Sequence, residues 1–296
     1  MTELAGAGGS AGLGGGAGSG ALGTAAGASG PGGGRLSVGM AAGWLTRYLP
    51  ALMVFLAVIA VWQLTTSGTG RHVIPSPSAI LAAFGTDGQL LKDSTQATFY
   101  EALGGLAIGT LGGVLVAFAT ARWVVARDVL LPIAIGASSV PLIAIAPIMN
   151  NWFGVLDPFS KMVMAAMLVF FPITINVTRG LVQVDAGALE LMRSYAASDW
   201  EVVRKVRIPN MLPFFFTALK VSTTLAFIGA IVGEYFGGTS EVLGRVVLTS
   251  ISSGSYDVAW AAISLGAVAA IASYLAVSVL ERTFIPWHAA LRSDAA

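Results

Sequence analysis

Six stretches of this sequence are apolar over the length that a membrane crossing demands: Tyr48–Thr66, Thr98–Ala121, Val129–Met149, Phe159–Thr178, Phe214–Phe236 and Val258–Leu280. A bilayer core about 30 Å thick takes about 20 such residues per helix. Inside it every backbone group must bond internally, so an apolar stretch of this kind crosses as a helix. The expected fold is therefore all-α and polytopic, with six transmembrane helices, the third interrupted by Pro141 and Pro147. Only 10% of the 296 residues are charged and 55% are hydrophobic, whereas a soluble domain carries about 25% charged residues. A net charge of +1 gives no nucleic-acid footprint. The absence of cysteine excludes disulfides, thiol catalysis and Cys-ligated metals. The two histidines, His72 and His288, leave little room for a His-rich metal site, so no metal is expected.

Residues 1–38 form a separate zone, with fifteen of the 37 glycines lying before Arg35. Such a segment cannot offset its ordering entropy and reads as a flexible tail. Gly18, Gly20 and Gly23 match G-x-G-x-x-G there, but with no strand before them and no helix after, they make no dinucleotide site. The domain reading is a tail over 1–38, a six-helix transmembrane domain over 39–288 and a short tail over 289–296. Lys and Arg set the orientation. With both termini cytoplasmic, eleven of the sixteen lie inside, four outside (Arg71, Lys92, Lys161 and Arg245), and Lys220 within a span.

The loop over residues 180–212 is too elaborate for a connection. Asp185 can cap a short helix through Leu189, Glu190, Met192 and Arg193. Ser198 and Glu201 have the S-x-x-E spacing of a capping box, in which each side chain serves the other's free backbone N–H. The second helix would carry Trp200, Val203, Arg204 and Arg207 and is expected to stop near Ile208, since Pro209 disfavours helix before it. Pro213 then sets off the next span. Two such helices either lie on anionic headgroups or dock a cytoplasmic partner.

Glu190, Ala196, Ile208 and Pro209 fall at the spacing of the EAA loop, roughly E-A-A-x3-G-x9-I-x-L-P, of binding-protein-dependent ABC importer permeases. With Val73–Ile80, Ala146–Gly154, Phe170-Phe171-Pro172 and Gly229–Gly237, the chain from about residue 45 to 287 resembles the nitrate/sulfonate/taurine branch of that family. The resemblance implies a permease subunit that is not an enzyme. It implies a homodimer of this chain in membrane lipid and two copies of a cytoplasmic ATPase, which bind ATP and Mg while this chain holds no cofactor. It also implies an extracytoplasmic substrate-binding protein. The coupling loop would comprise Glu190, Leu191, Met192, Arg193, Ala196, Ala197, Ser198, Trp200, Glu201, Ile208 and Pro209. Leu191-Met192 replaces the family's Ala-Ala, and Ala196 replaces its turn glycine. A left-handed alanine there costs roughly 1–2 kcal/mol, so either the turn is right-handed or Ala197–Ser198 takes the reversal.

None of the four lysines, Lys92, Lys161, Lys205 and Lys220, follows a glycine, so the chain has no P-loop and its energy comes from a partner or an ion gradient. Lys220 either snorkels to the interface or serves the pathway. Glu234, near the outer end of the same helix, is either a wetted carboxylate or part of an outer gate. Glu101 opens the second helix, where its charge suits the dipole. Pro141 and Pro147 free backbone groups that must be buried or line a wet cavity; with Ser138, Ser139, Asn150 and Asn151 they form a candidate pathway wall or a packing kink. Gly105, Gly109 and Gly113 read as a helix–helix seam.

Two other classes compete. In a six-span serine protease the nucleophile would be Ser138, but neither His72 nor His288 can meet it at membrane depth. An ion-driven secondary transporter would show a matched pair of broken helices, and only one is evident. The substrate expected is a sulfonate, taurine, nitrate or bicarbonate, or a heterocyclic vitamin precursor, towards which Leu191–Ala197 and Glu234–Gly237 lean.

Overall fold

The structure is a computed structural model that describes residues 38–68 and 73–286. The tails, His72, His288 and the Gly18–Gly23 match lie outside the described residues. Two units are distinguished, one ending at Val54 and one beginning at Phe55; the described part of the first is the N-terminal half of α1. The helices run α1 (Val38–Thr66), α2 (Pro77–Thr86), α3 (Gly88–Arg122), α4 (Val124–Ala137), α5 (Leu142–Phe153), α6 (Pro158–Val182), α7 (Ala186–Ser194), α8 (Asp199–Val202), a π-helical turn (Val203–Arg207), α9 (Ile208–Phe236), α10 (Leu243–Ser253) and α11 (Tyr256–Phe284). Among the described residues, five helices are long and apolar enough to cross a membrane.

The core is the contact of α3, α6 and α9, with α6 in the middle. It can be this close because small residues meet there. A Cβ on Gly105 would meet the Ala165 side chain and lie 2.7 Å from the Met162 carbonyl, and one on Gly109 would lie 2.6 Å from the Ala166 carbonyl. From the other side, a Cβ on Gly229 would sit 2.6 Å from the Ala165 backbone. The expected glycine seam is thus real and joins α3 to α6, and Gly229 extends it to α9. Ala165, Val169, Ile173 and Val177 on α6 are fully buried between the two neighbours.

Three expectations change. The second span does not begin at Thr98: α3 starts at Gly88, and its 35 residues reach about 52 Å, well beyond a bilayer core. Glu101 is therefore not in a first turn, and it is buried. The third span is two helices, broken at residues 138–141, where Pro141 forms the N-cap of α5. Pro147 lies inside α5 without breaking it, as Pro132 does in α4. Neither α4 nor α5 is long enough to cross alone, which is why five crossing helices appear where six were expected.

Candidate functional site: the 183–207 loop and the ends of α6 and α9

The loop between α6 and α9 is built as the local sequence dictates. Asp185 Oδ2 accepts from the Ala188 N–H at 2.9 Å and caps α7. Ser198 and Glu201 form the full capping box of α8: Ser198 Oγ accepts from Glu201 N–H at 3.3 Å, and Glu201 Oε2 accepts from Ser198 N–H at 3.0 Å. Glu201 Oε1 also holds Lys205 one turn on, at 3.0 Å.

Between the two helices the chain reverses through Ala196 at φ 50°. Ala197 N–H reaches the Met192 carbonyl at 3.0 Å and Ala196 N–H the Arg193 carbonyl at 2.9 Å, the paired bonds of a Schellman ending. The turn is left-handed at an alanine, so both ways of avoiding the strain fail: the bonds that close α7 require that conformation at this one residue. Ala196→Gly is expected to relieve about 1 kcal/mol. Amide hydrogen exchange at Ala197 should then slow by roughly fivefold; unchanged exchange would mean that the strain is absent.

The second loop helix does not stop at Ile208. It continues through the π turn into α9, with Ile208 N–H bonded back to the Val203 carbonyl, and Ile208 itself is helical. Pro209 would clash with the carbonyl four residues back in a regular helix. Widening the preceding turn by one residue moves that carbonyl aside, so the proline is carried rather than ending the helix. Pro213 likewise lies inside α9. Nothing in the motif pointed to Asn210, whose Nδ2 donates to the Gly180 carbonyl at 2.7 Å and the Gln183 carbonyl at 2.9 Å. These are open carbonyls at the end of α6, so Asn210 staples the two legs of the loop. A Cβ on Gly180 would lie 2.6 Å from the Met211 backbone.

Held this way, the loop exposes Glu190 and Arg193, and more than half of the surface of each of Leu191, Tyr195 and Trp200. Behind Trp200 a cleft of about 560 Å³ opens between α8, the π turn and the ends of α3 and α6, with Arg122 and Arg207 in its wall.

The expected pathway residues do not come together. Ser138, Ser139 and Pro141 lie exposed at the α4–α5 break, where Ser138 Oγ donates to its own helix at the Ile135 carbonyl, 2.6 Å. Ser138 edges a cavity of about 170 Å³ walled by Leu142, Met167, Phe171 and Leu225. Pro147 and Asn151 are exposed on α5. Asn150 is buried and bonded on both sides of its amide: Nδ2 donates to the Gly233 carbonyl at 3.3 Å and Oδ1 accepts from Ser160 at 2.9 Å. Lys220 is neither free nor snorkelling, because Nζ pairs with Glu281 Oε2 on α11 at 2.7 Å. Glu234 is not a wetted carboxylate: it is 0% exposed at the far end of α9, where Oε2 accepts from the Gly244 N–H at 2.7 Å.

Residues 109–287 match the family described as "Binding-protein-dependent transport system inner membrane component". The chain belongs to this family. A "Probable ABC transporter permease protein" of Haemophilus influenzae is 32% identical over 81% of this chain and 98% of its own length. "Riboflavin transport system permease protein RibX" of Chloroflexus aurantiacus is 30% identical over 83% of this chain and 92% of its own. "Putative aliphatic sulfonates transport permease protein SsuC" of Escherichia coli is 29% identical over 83% and 94%. The crystal structure of an amino acid ABC transporter with histidines superposes with TM-score 0.54 over 68% of this chain and 97% of the other at 18% identity, a likeness of fold. This chain is thus a multi-pass permease subunit of an ABC importer, a transport component and not an enzyme; the ATPase is a separate partner.

Proposed function

We propose that this permease carries a small solute delivered by an extracytoplasmic binding protein, and that the 183–207 loop is its grip on the ATPase. One observation carries the docking role. Leu191, Tyr195 and Trp200 stand exposed on a polar loop whose backbone is fixed by a capping box, a Schellman ending and the Asn210 staple. Large apolar side chains left exposed on a braced polar loop mark a protein interface. Coupling then falls to Glu190–Arg193, Ala196–Ser198, Trp200, Glu201, Ile208 and Pro209. The excess of Lys and Arg towards this loop supports a cytoplasmic loop with both termini on the same side. On that reading α4 and α5 in series make the remaining crossing, from the end of α3 to the start of α6. The exposed α4–α5 break, with Ser138, Ser139 and Pro141, is the part of the candidate pathway that stays open to solute once the dimer forms.

The relatives named for riboflavin and for aliphatic sulfonates bracket the solute: a heterocyclic vitamin or vitamin precursor, or a small anion such as a sulfonate, taurine or nitrate. Two permeases, two ATPases and one binding protein complete the assembly. Trp200→Ala is expected to weaken ATPase association by about 2 kcal/mol, roughly 30-fold, and Glu190→Lys to reduce ATPase co-purification, both with normal membrane insertion. Co-purification at the wild-type level in both variants would remove the loop from the coupling interface.

A further inference from the structure

α10 begins without a cap of its own. Its N-cap residue is Val242, which offers no side-chain acceptor, so the first N–H groups of the helix need partners from elsewhere. Two other helices supply them. Thr98 Oγ1 on α3 accepts from the Leu243 N–H at 3.0 Å, and Glu234 Oε2 on α9 accepts from the Gly244 N–H at 2.7 Å. Thr98 and Glu234 are both fully buried. Close packing reinforces the joint, since a Cβ on Gly244 would meet the Ile231 carbonyl and lie 2.7 Å from Glu234 Cβ. Around it, Glu101 from α3 and Lys161 from α6 are buried in electrostatic reach of Glu234. Lys161 donates to the Val155 and Asp157 carbonyls before α6.

This cluster is a costly way merely to hold helices together. Among the described residues, Glu101 Oε2 and Glu234 Oε1 have no hydrogen-bond donor, and buried ionic groups generally add less stability than apolar side chains of the same volume. What the polar groups do supply is a directional hold on α10. The link from α9 to α10 runs over residues 237–242, and Leu243 and Val246 at the start of α10 pack in an apolar core with Leu91, Val258 and Ala261; such packing is not directional, so it leaves the orientation of α10 to the two polar bonds. At its other end α9 is continuous with the π turn and the loop, a rod of about 43 Å between loop and joint.

We propose that Thr98 and Glu234 are positioning residues that cap α10 from two other helices and make it travel with the far end of α9. A movement imposed on α9 at the loop then reaches α10 through the Glu234 bond, while Thr98 sets its direction against α3. The functional part of this inference rests on the loop being the ATPase grip; the pinning of α10 does not.

The absence of native cysteine allows the test on the full complex in nanodiscs. Spin labels go on Ser252→Cys of α10 and Leu156→Cys before α6, both exposed. Thr98→Val, which keeps the shape and loses the hydroxyl, and Glu234→Ala are expected to broaden the label–label distance distribution about twofold. They should also lower solute moved per ATP hydrolysed by about tenfold, the scale of one lost buried hydrogen bond. Thr98→Ser and Glu234→Gln keep an acceptor and should match wild type in both readouts. Wild-type width and stoichiometry in Thr98→Val and Glu234→Ala would overturn the proposal, as would broadening in Thr98→Ser equal to that in Thr98→Val. If Glu234→Ala fails to assemble, Thr98→Val against Thr98→Ser still decides. A wild-type complex with a narrow distribution but no ATP-driven transport would count against the coupling role and not against the pinned helix.

Discussion

Gly109→Ala is expected to lower the thermal aggregation midpoint of the detergent-solubilised permease by roughly 5–10 °C, while Gly112→Ala on the same helix raises it by about 1–3 °C. The two substitutions are chemically identical and three residues apart. At Gly109 the added Cβ would lie 2.6 Å from the Ala166 carbonyl and 2.8 Å from Val169 Cβ, both on α6. Backbone cannot step aside as a side-chain end can, so α3 and α6 must separate. Overpacking of this kind costs about 1–3 kcal/mol. At Gly112 the nearest atom is the Phe170 ring at 3.5 Å, an ordinary contact, and alanine's better helix propensity then acts alone, at up to about 1 kcal/mol. Equal midpoints for the two variants would show that the α3–α6 seam is looser than its geometry.

Lys220→Met is expected to cost about 3–5 kcal/mol, because it strands the Glu281 carboxylate in a largely buried position. The side chains of the pair are only 21% and 13% exposed. Adding Glu281→Gln removes the stranded charge, so the double variant should recover most of the lost stability, and a double-mutant cycle measures the coupling. The same variants test the pathway reading of Lys220 against a purely structural tie. If the pair only ties α9 to α11, the double variant transports at the wild-type rate per folded complex. A loss of transport in a stable double variant would place Lys220 in the solute path.

Local structure was legible where a few neighbouring residues decide it. Asp185, Ser198 and Glu201 announced two capped helices, because a cap depends on spacing and side-chain chemistry alone. The i, i+4 glycines at 105, 109 and 113 announced a seam, although not its partner. Local rules misled where a second element intervened. Pro209 reads as a helix end, and the π turn before it removes the clash. Ala196 reads as a strain to be avoided, yet the Schellman bonds hold it at φ 50°. Glu101 reads as a first-turn charge because the polar residues before Thr98 look like loop, but α3 continues through them. Asn210 carried no signal at all, since its task is to meet carbonyls 27 and 30 residues away.

The sequence by itself determined that this chain is a bundle of lipid-crossing helices with a capped loop standing out of it. Hydrophobic length and the caps of α7 and α8 are properties of short stretches, whereas the start of α10 takes its caps from Thr98 and Glu234 on other helices. Tertiary structure alone decided which polar groups are wetted, paired or enclosed. Lys220 meets Glu281 across 61 residues and Leu243 meets Thr98 across 145. The free energy of a buried charge depends on whatever the fold brings beside it, and that is set only when all the helices are in place.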